Sequence, residues 1–151
     1  MISMNKSNFF NNLKSNGLKS TQHRIDILNI IEKSSQPIAA DQIFEEMQKR
    51  GITINLSTVY RTLDTLCNKN LLTKLNIDGD NRTLFEFNRM LHTHHLVCLR
   101  CKKILAINSC PLEGYEKDLE KKTDYVIAGH KLNVYGYCPE CRNKQVAEEL
   151  I

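Results

Sequence analysis

The chain has no long hydrophobic run: its longest apolar stretches cover only a few residues, far short of the ~20 that a membrane-spanning helix needs. Its opening, MISMNKSNFF, lacks the apolar centre of a secretory leader. Glycine (6) and proline (3) are sparse, and there is no internal repeat and no low-complexity tract. Acidic residues are missing as far as residue 24, a stretch that holds Lys6, Lys14, Lys19 and Arg24. No histidine is followed two residues later by glutamate, and neither C-x-x-C pair is preceded by proline, so the zinc-deaminase pattern is missing. No nucleophile–base motif appears either. These absences argue against a membrane-spanning helix, a secreted protein and catalysis. They point to the cytoplasm, where thiols stay reduced and paired cysteines more often bind metal than each other.

What is present suits a globular protein of one ordinary domain or two small ones, 41% hydrophobic and 25% charged over 151 residues. The net charge of +4 is mild, but the basic arm concentrates it at one end. Such an arm meets an anionic partner or is simply solvated; the arm alone does not choose.

The sequence divides near residue 88, into 1–88 and 89–151, because all but one of the cysteines and all but one of the histidines follow that point. Ser20 can cap a helix through TQHRIDILNIIEK, where Ile25, Leu28 and Ile31 recur at helical spacing. After Pro37, AADQIFEEMQKR predicts a second helix ended by Gly51. STVYRTLDTLCNKN predicts a third, with Ser57 as N-cap and Val59, Leu63, Leu66 and Cys67 as one apolar stripe. Cys67 is then a small buried hydrophobe. LLTKLNI and RTLFEF flank the turn DGDN as a hairpin. Three helices and a hairpin make a winged helix-turn-helix. The third helix presents Ser57, Thr58, Tyr60 and Arg61 as a set suited to reading the major groove, with Asp64 needing a basic neighbour. An ordinary amphipathic surface helix, or a protein-binding winged helix, has the same periodicity.

Two C-x-x-C pairs, Cys98 with Cys101 and Cys138 with Cys141, predict a closed four-thiolate site for a structural metal, with zinc favoured over iron. The interval between them holds a strand, a helix beginning near Leu112, and returning strands in DYVIAGHKLNVYGY. Cys110 is a leftover thiol. In LHTHHLVCLRCKK, strand alternation puts His92 and His94 on one face. His130 shares parity with Leu132 and Val134 on a returning strand, and Glu113 is a nearby carboxylate. Those four predict a second, exchangeable site for Zn(II) or Fe(II); surface histidines without metal are the alternative.

With the winged helix, STVYRTL, the histidine-rich strand and the two C-x-x-C pairs in this order, the sequence resembles the ferric uptake regulator (Fur) superfamily from Gly17 to Cys141. The resemblance implies an α+β fold: a winged-helix DNA-binding domain, a hinge near 88–92, and a small α/β dimerisation domain with a four-cysteine zinc site. It further implies a homodimeric, metal-dependent repressor on an A·T-rich palindromic duplex, with Lys19 in the minor groove and Tyr60 and Arg61 in the major groove. Of the family's inter-domain site only Glu86 and His95 are present, as an accessory metal pair; Gln36, Pro37 and Thr93 stand where ligands are expected. Phe87 replaces the zinc regulators' cysteine, and Ala106 the peroxide sensors' second aspartate. The site of the dimerisation domain is complete in His92, His94, Glu113 and His130, with His94 replacing the iron regulators' common aspartate. That substitution and NSCPLEGYEKDLE look most like zinc uptake regulators (Zur). An iron-responsive repressor, a member with altered or lost sensing, and a zinc-stabilised protein-interaction module remain the alternatives.

Overall fold

The structure, a computed structural model, describes residues 6–89 and 93–148 and divides into two units, Met1–Arg89 and Met90–Ile151.

The first unit opens with α1 (Lys6–Ser15), which local sequence barely encodes. KSNFFNNLKS is polar and poor in strong helix formers; it stays helical because Phe9 and Leu13, one turn apart, are wholly buried. The Phe9 ring also stacks on Phe87, with centroids 5.9 Å apart. Gly17, at φ 70°, lets the chain reverse so that Leu18 N–H donates to the Leu13 carbonyl at 2.9 Å. Next comes α2 (Gln22–Lys33), capped by the hydroxyl of Thr21, which accepts from Arg24 N–H; Ser20 lies one residue outside the cap.

Strand β1 (Ile38–Ala39) runs into α3 (Ala40–Lys49), where the Gln42 side chain accepts from Ala39 N–H at 3.1 Å. Gly51, at φ 71°, ends α3 by the same reversal used after α1. Helix α4 (Leu56–Asn68) is capped by Asn55, not Ser57, because the Asn55 amide oxygen takes Thr58 N–H at 2.8 Å. It buries Val59, Thr62, Leu63 and Leu66. Strands β2 (Leu72–Asn76) and β3 (Thr83–Phe87) form the hairpin, and the sheet order is β1-β3-β2, all antiparallel. All four helices and the sheet contribute to one aliphatic core around Leu28, Ile43, Met47, Leu63 and Phe85. This is a winged helix with an added N-terminal helix.

The second unit is a three-stranded sheet in the order β5-β4-β6, from β4 (His94–Cys98), β5 (Ile104–Ile107) and β6 (Asn133–Gly136). Strand β5 is antiparallel to β4 and β6 parallel to it. A parallel neighbour requires a long crossover; here it carries α5 (Glu113–Thr123). Residues 125–132 form no regular element, so only one strand returns and His130 approaches from a loop. Helix α6 (Pro139–Glu148) closes the unit. Leu96, Leu105 and Val134 form an exposed apolar row across all three strands, and α5 has no buried residue. No described helix is long and apolar enough to cross a membrane.

Candidate metal centres and nucleic-acid interface

Strand β4 carries a different metal-ligand chemistry at each end. At its C-terminal end Cys98 begins a tight turn to Cys101, closed by Lys102 N–H to the Cys98 carbonyl at 2.9 Å. Lys102 takes φ 60°, a conformation unusual for a residue with a side chain. The second turn, at the start of α6, is held by Cys141 N–H to the Cys138 carbonyl at 3.0 Å. The four sulfurs all lie within 4.8 Å of one another, and Cys101 Sγ is 3.7 Å from Cys138 Sγ. Zinc–sulfur bonds of about 2.3 Å place tetrahedral sulfurs about 3.8 Å apart, whereas a disulfide needs about 2.05 Å. The spacing fits an ion.

The local field agrees. Backbone N–H groups of Cys138, Cys101 and Arg100 point at the Cys98 sulfur and lower its thiol from 9.0 to about 6 against the opposing effect of burial. Burial, then the neighbouring thiols of Cys138, Cys101 and Cys98, push Cys141 up to about 12. Four sulfurs this close resist ionising together unless a dication holds them, and a coordinated thiol is deprotonated outright.

At the N-terminal end of β4, His94 is 1% exposed. Its Nε2 is 3.2 Å from Nε2 of His130, with the rings stacked at 4.9 Å. Behind His130, Nδ1 meets the Glu116 carboxylate at 2.6 Å. A carboxylate oxygen there favours the tautomer with hydrogen on Nδ1, the one whose Nε2 can act as a metal ligand. Cys110 Sγ stands 3.4 Å from the same Nε2, and these three donor atoms lie within 4.8 Å of one another.

Of the four residues predicted here, His94 and His130 are together. Glu113 opens α5 as expected, but its side chain is 74% exposed and pairs with Lys117 at 3.2 Å. His92 lies outside the described residues. Sequence reasoning missed Glu116 and Cys110. Glu116 follows Glu113 by nearly one helical turn, so spacing allowed either to face His130. Glu86, half-buried on β3, and His95, buried on β4, belong to different units.

On α4 the Asn55 amide oxygen also accepts the hydroxyls of Ser57 and Thr58, at 2.8 and 2.7 Å. Tyr60 and Arg61 are exposed, with Arg61 Nη2 donating to Thr58 Oγ1 at 3.3 Å. Asp64 finds its basic neighbour in Lys74, 2.7 Å away, and the bond raises the Lys74 pKa. Lys19 is exposed, and its carbonyl accepts from Arg24 Nη1 at 2.6 Å, tying Arg24 to the loop before α2. Cys67, in the last turn of α4, is half-buried, and burial raises its thiol pKa.

Comparison with known proteins places these features in one lineage. The profile described as "Ferric uptake regulator family" matches residues 15–135. The chain is 31% identical over 140 residues to the ferric uptake regulation protein of Escherichia coli (strain K12), covering 91% of this chain and 94% of that one. The crystal structure of the Vibrio cholerae ferric uptake regulator superposes with a TM-score of 0.73 at 30% identity, over 85% of this chain and 98% of that one. The ferric uptake regulator of Francisella tularensis with iron gives 0.76 at 28%, over 83% and 96%.

Proposed function

Because the chain belongs to the ferric uptake regulator family, we propose that it represses metal-uptake genes as a homodimer whose DNA binding depends on zinc. It is a metal-responsive transcriptional regulator and not an enzyme. Regulators of this family bind DNA and act as dimers.

The observation that carries the zinc reading is the His94–His130 pair. Its Nε2 atoms, 3.2 Å apart, span the edge of a small tetrahedron, since zinc–nitrogen bonds of about 2.0–2.1 Å imply about 3.3 Å. Two imidazole nitrogens, one on the buried His94 and one on the His130 ring held by Glu116, suit zinc better than the oxygen-rich sets of harder ions. His92 and Glu113 complete the proposed regulatory set, and Glu86 with His95 forms at most an accessory pair. The four cysteines hold a structural zinc ion that supplies cross-linking alone, since four thiolates leave no open coordination position. Iron is the second reading, favoured by the relatives' names and by the iron in the Francisella tularensis protein.

We assign DNA binding to residues 1–88 and dimerisation to 89–151. The exposed row of Leu96, Leu105 and Val134, with an α5 that buries nothing, gives a second copy an apolar face to cover. Two copies of α4 then read the half-sites of an A·T-rich palindrome through Ser57, Thr58, Tyr60 and Arg61, with Lys19 in the minor groove and Arg24 as a further DNA contact. Metal shifts this equilibrium only by its preference for the DNA-competent dimer.

The test is fluorescence anisotropy on the duplex upstream of the protein's own gene, in buffered Zn(II) or anaerobic Fe(II), with zinc already on the four cysteines. Tight binding with zinc alone, lost in His94→Ala, supports the reading. Iron-selective binding replaces zinc with iron, and binding indifferent to metal removes sensing altogether. Arg61→Ala should cost about 1–3 kcal/mol of affinity and flatten the salt dependence.

A further inference from the structure

We propose that the Cys110 thiolate binds the same ion as His94 and His130, making the regulatory centre a nitrogen–sulfur site oriented from behind by Glu116. The proposal rests on the reading that His94 and His130 hold the regulated ion, and it changes what completes their donor set.

Three convergent donors carry it. An ion with zinc–sulfur and zinc–nitrogen bonds of about 2.3 and 2.05 Å sets sulfur and nitrogen about 3.6 Å apart. Cys110 Sγ lies 3.4 Å from His130 Nε2 and the two imidazole nitrogens are 3.2 Å apart, so two edges of the donor triangle have the length a tetrahedral ion sets, and all three donors lie within 4.8 Å of one another. The backbone explains how they meet. Ile107 on β5 is opposite His94 on β4, and Cys110 follows three residues later as the chain turns into α5. His95 pairs with Asn133 on β6, and His130 precedes that position by three residues. Both loops therefore leave the sheet beside His94.

Cys110 is half-buried within this group, whereas Glu113 is directed to solvent and engaged by Lys117. Thiolate and carboxylate carry the same charge but differ in softness, so the exchange moves selectivity toward zinc and away from Fe(II). Coordination replaces the S–H bond with a sulfur–metal bond and releases the proton to water. Glu116 touches no ion; its hydrogen bond to Nδ1 keeps Nε2 aimed at the centre.

Cobalt(II) tests this, added anaerobically to full-length protein that retains one zinc per chain, with zinc release followed in parallel by a chromophoric chelator. The expected result is an added cobalt equivalent showing sulfur-to-cobalt charge transfer in the near ultraviolet without zinc release. Cys110→Ser should abolish that absorption while circular dichroism and retained zinc stay unchanged. Glu116→Gln should keep the absorption and weaken affinity about 10–100-fold. Cobalt bound without the charge-transfer band, a band surviving Cys110→Ser, or a band growing with released zinc overturns the assignment of Cys110. No added cobalt bound at all, or binding unaffected by His94→Ala and His130→Ala, brings down the histidine reading itself.

Discussion

The two units solve the problem of staying folded by different means. The first buries a continuous aliphatic core, with Leu13, Ile27, Ile43, Met47, Leu63 and Leu66 fully enclosed. Among the described residues of the second, the buried side chains are Val97 and Ile104 together with His94, His95, Cys98 and Cys141. One unit is held by the removal of hydrocarbon from water; the other has almost none to remove and encloses ligand atoms instead. A small domain with so little core needs a metal, a disulfide or a partner. On the function proposed above, a regulator gains from this asymmetry, because the half assigned to sensing is the half whose stability would answer to what it binds.

The largest test of that contrast is Cys138→Ser. Structural zinc supplies roughly 10–16 kcal/mol in small zinc domains, so the second unit should lose its folded NMR dispersion while resonances of the winged helix stay in place. Retained dispersion in both units would refute the division. The converse is Leu63→Ala, which empties a fully buried position and should cost the first unit about 2–5 kcal/mol; zinc content and the second unit's dispersion should not change. Leu105→Glu puts charge on the 63% exposed apolar row and should weaken self-association by about 2 kcal/mol in sedimentation equilibrium. An unchanged dimer would place the interface elsewhere. The smallest effect is expected from Lys102→Gly. Relieving the positive φ should stabilise the second unit by about 1 kcal/mol and slow zinc loss to a chelator.

The same contrast explains which features were legible in the sequence. Helical stripes in α3 and α4, the hairpin about DGDN and the two cysteine pairs follow local periods, and each is present. Helix α1 was invisible because burial of two residues, not propensity, makes it a helix. Both caps were misplaced by one or two positions, since Ser20 beside Thr21, and Ser57 after Asn55, offer equivalent oxygens locally. Of the three imidazoles that the sequence proposed for one site, the structure brings His94 and His130 together, beside groups that the sequence did not single out. Strand parity located His94, whereas His130, Cys110 and Glu116 arrive from loops and a helix whose paths no period encodes.

The parallel pairing of β6 with β4 also governs how the protein is made. Cys98 and Cys138 stand 40 residues apart. At a synthesis rate of about 5–20 residues per second, the first pair of thiols leaves the ribosome about 2–8 seconds before the second. During that interval a nascent chain holds two thiols with no partners. Neither the central strand's parallel neighbour nor the other half of the cage exists yet. Capture of an ion by the four cysteines would therefore be a late event in the life of each chain, and the winged helix, wholly synthesised before either pair, has time to fold first.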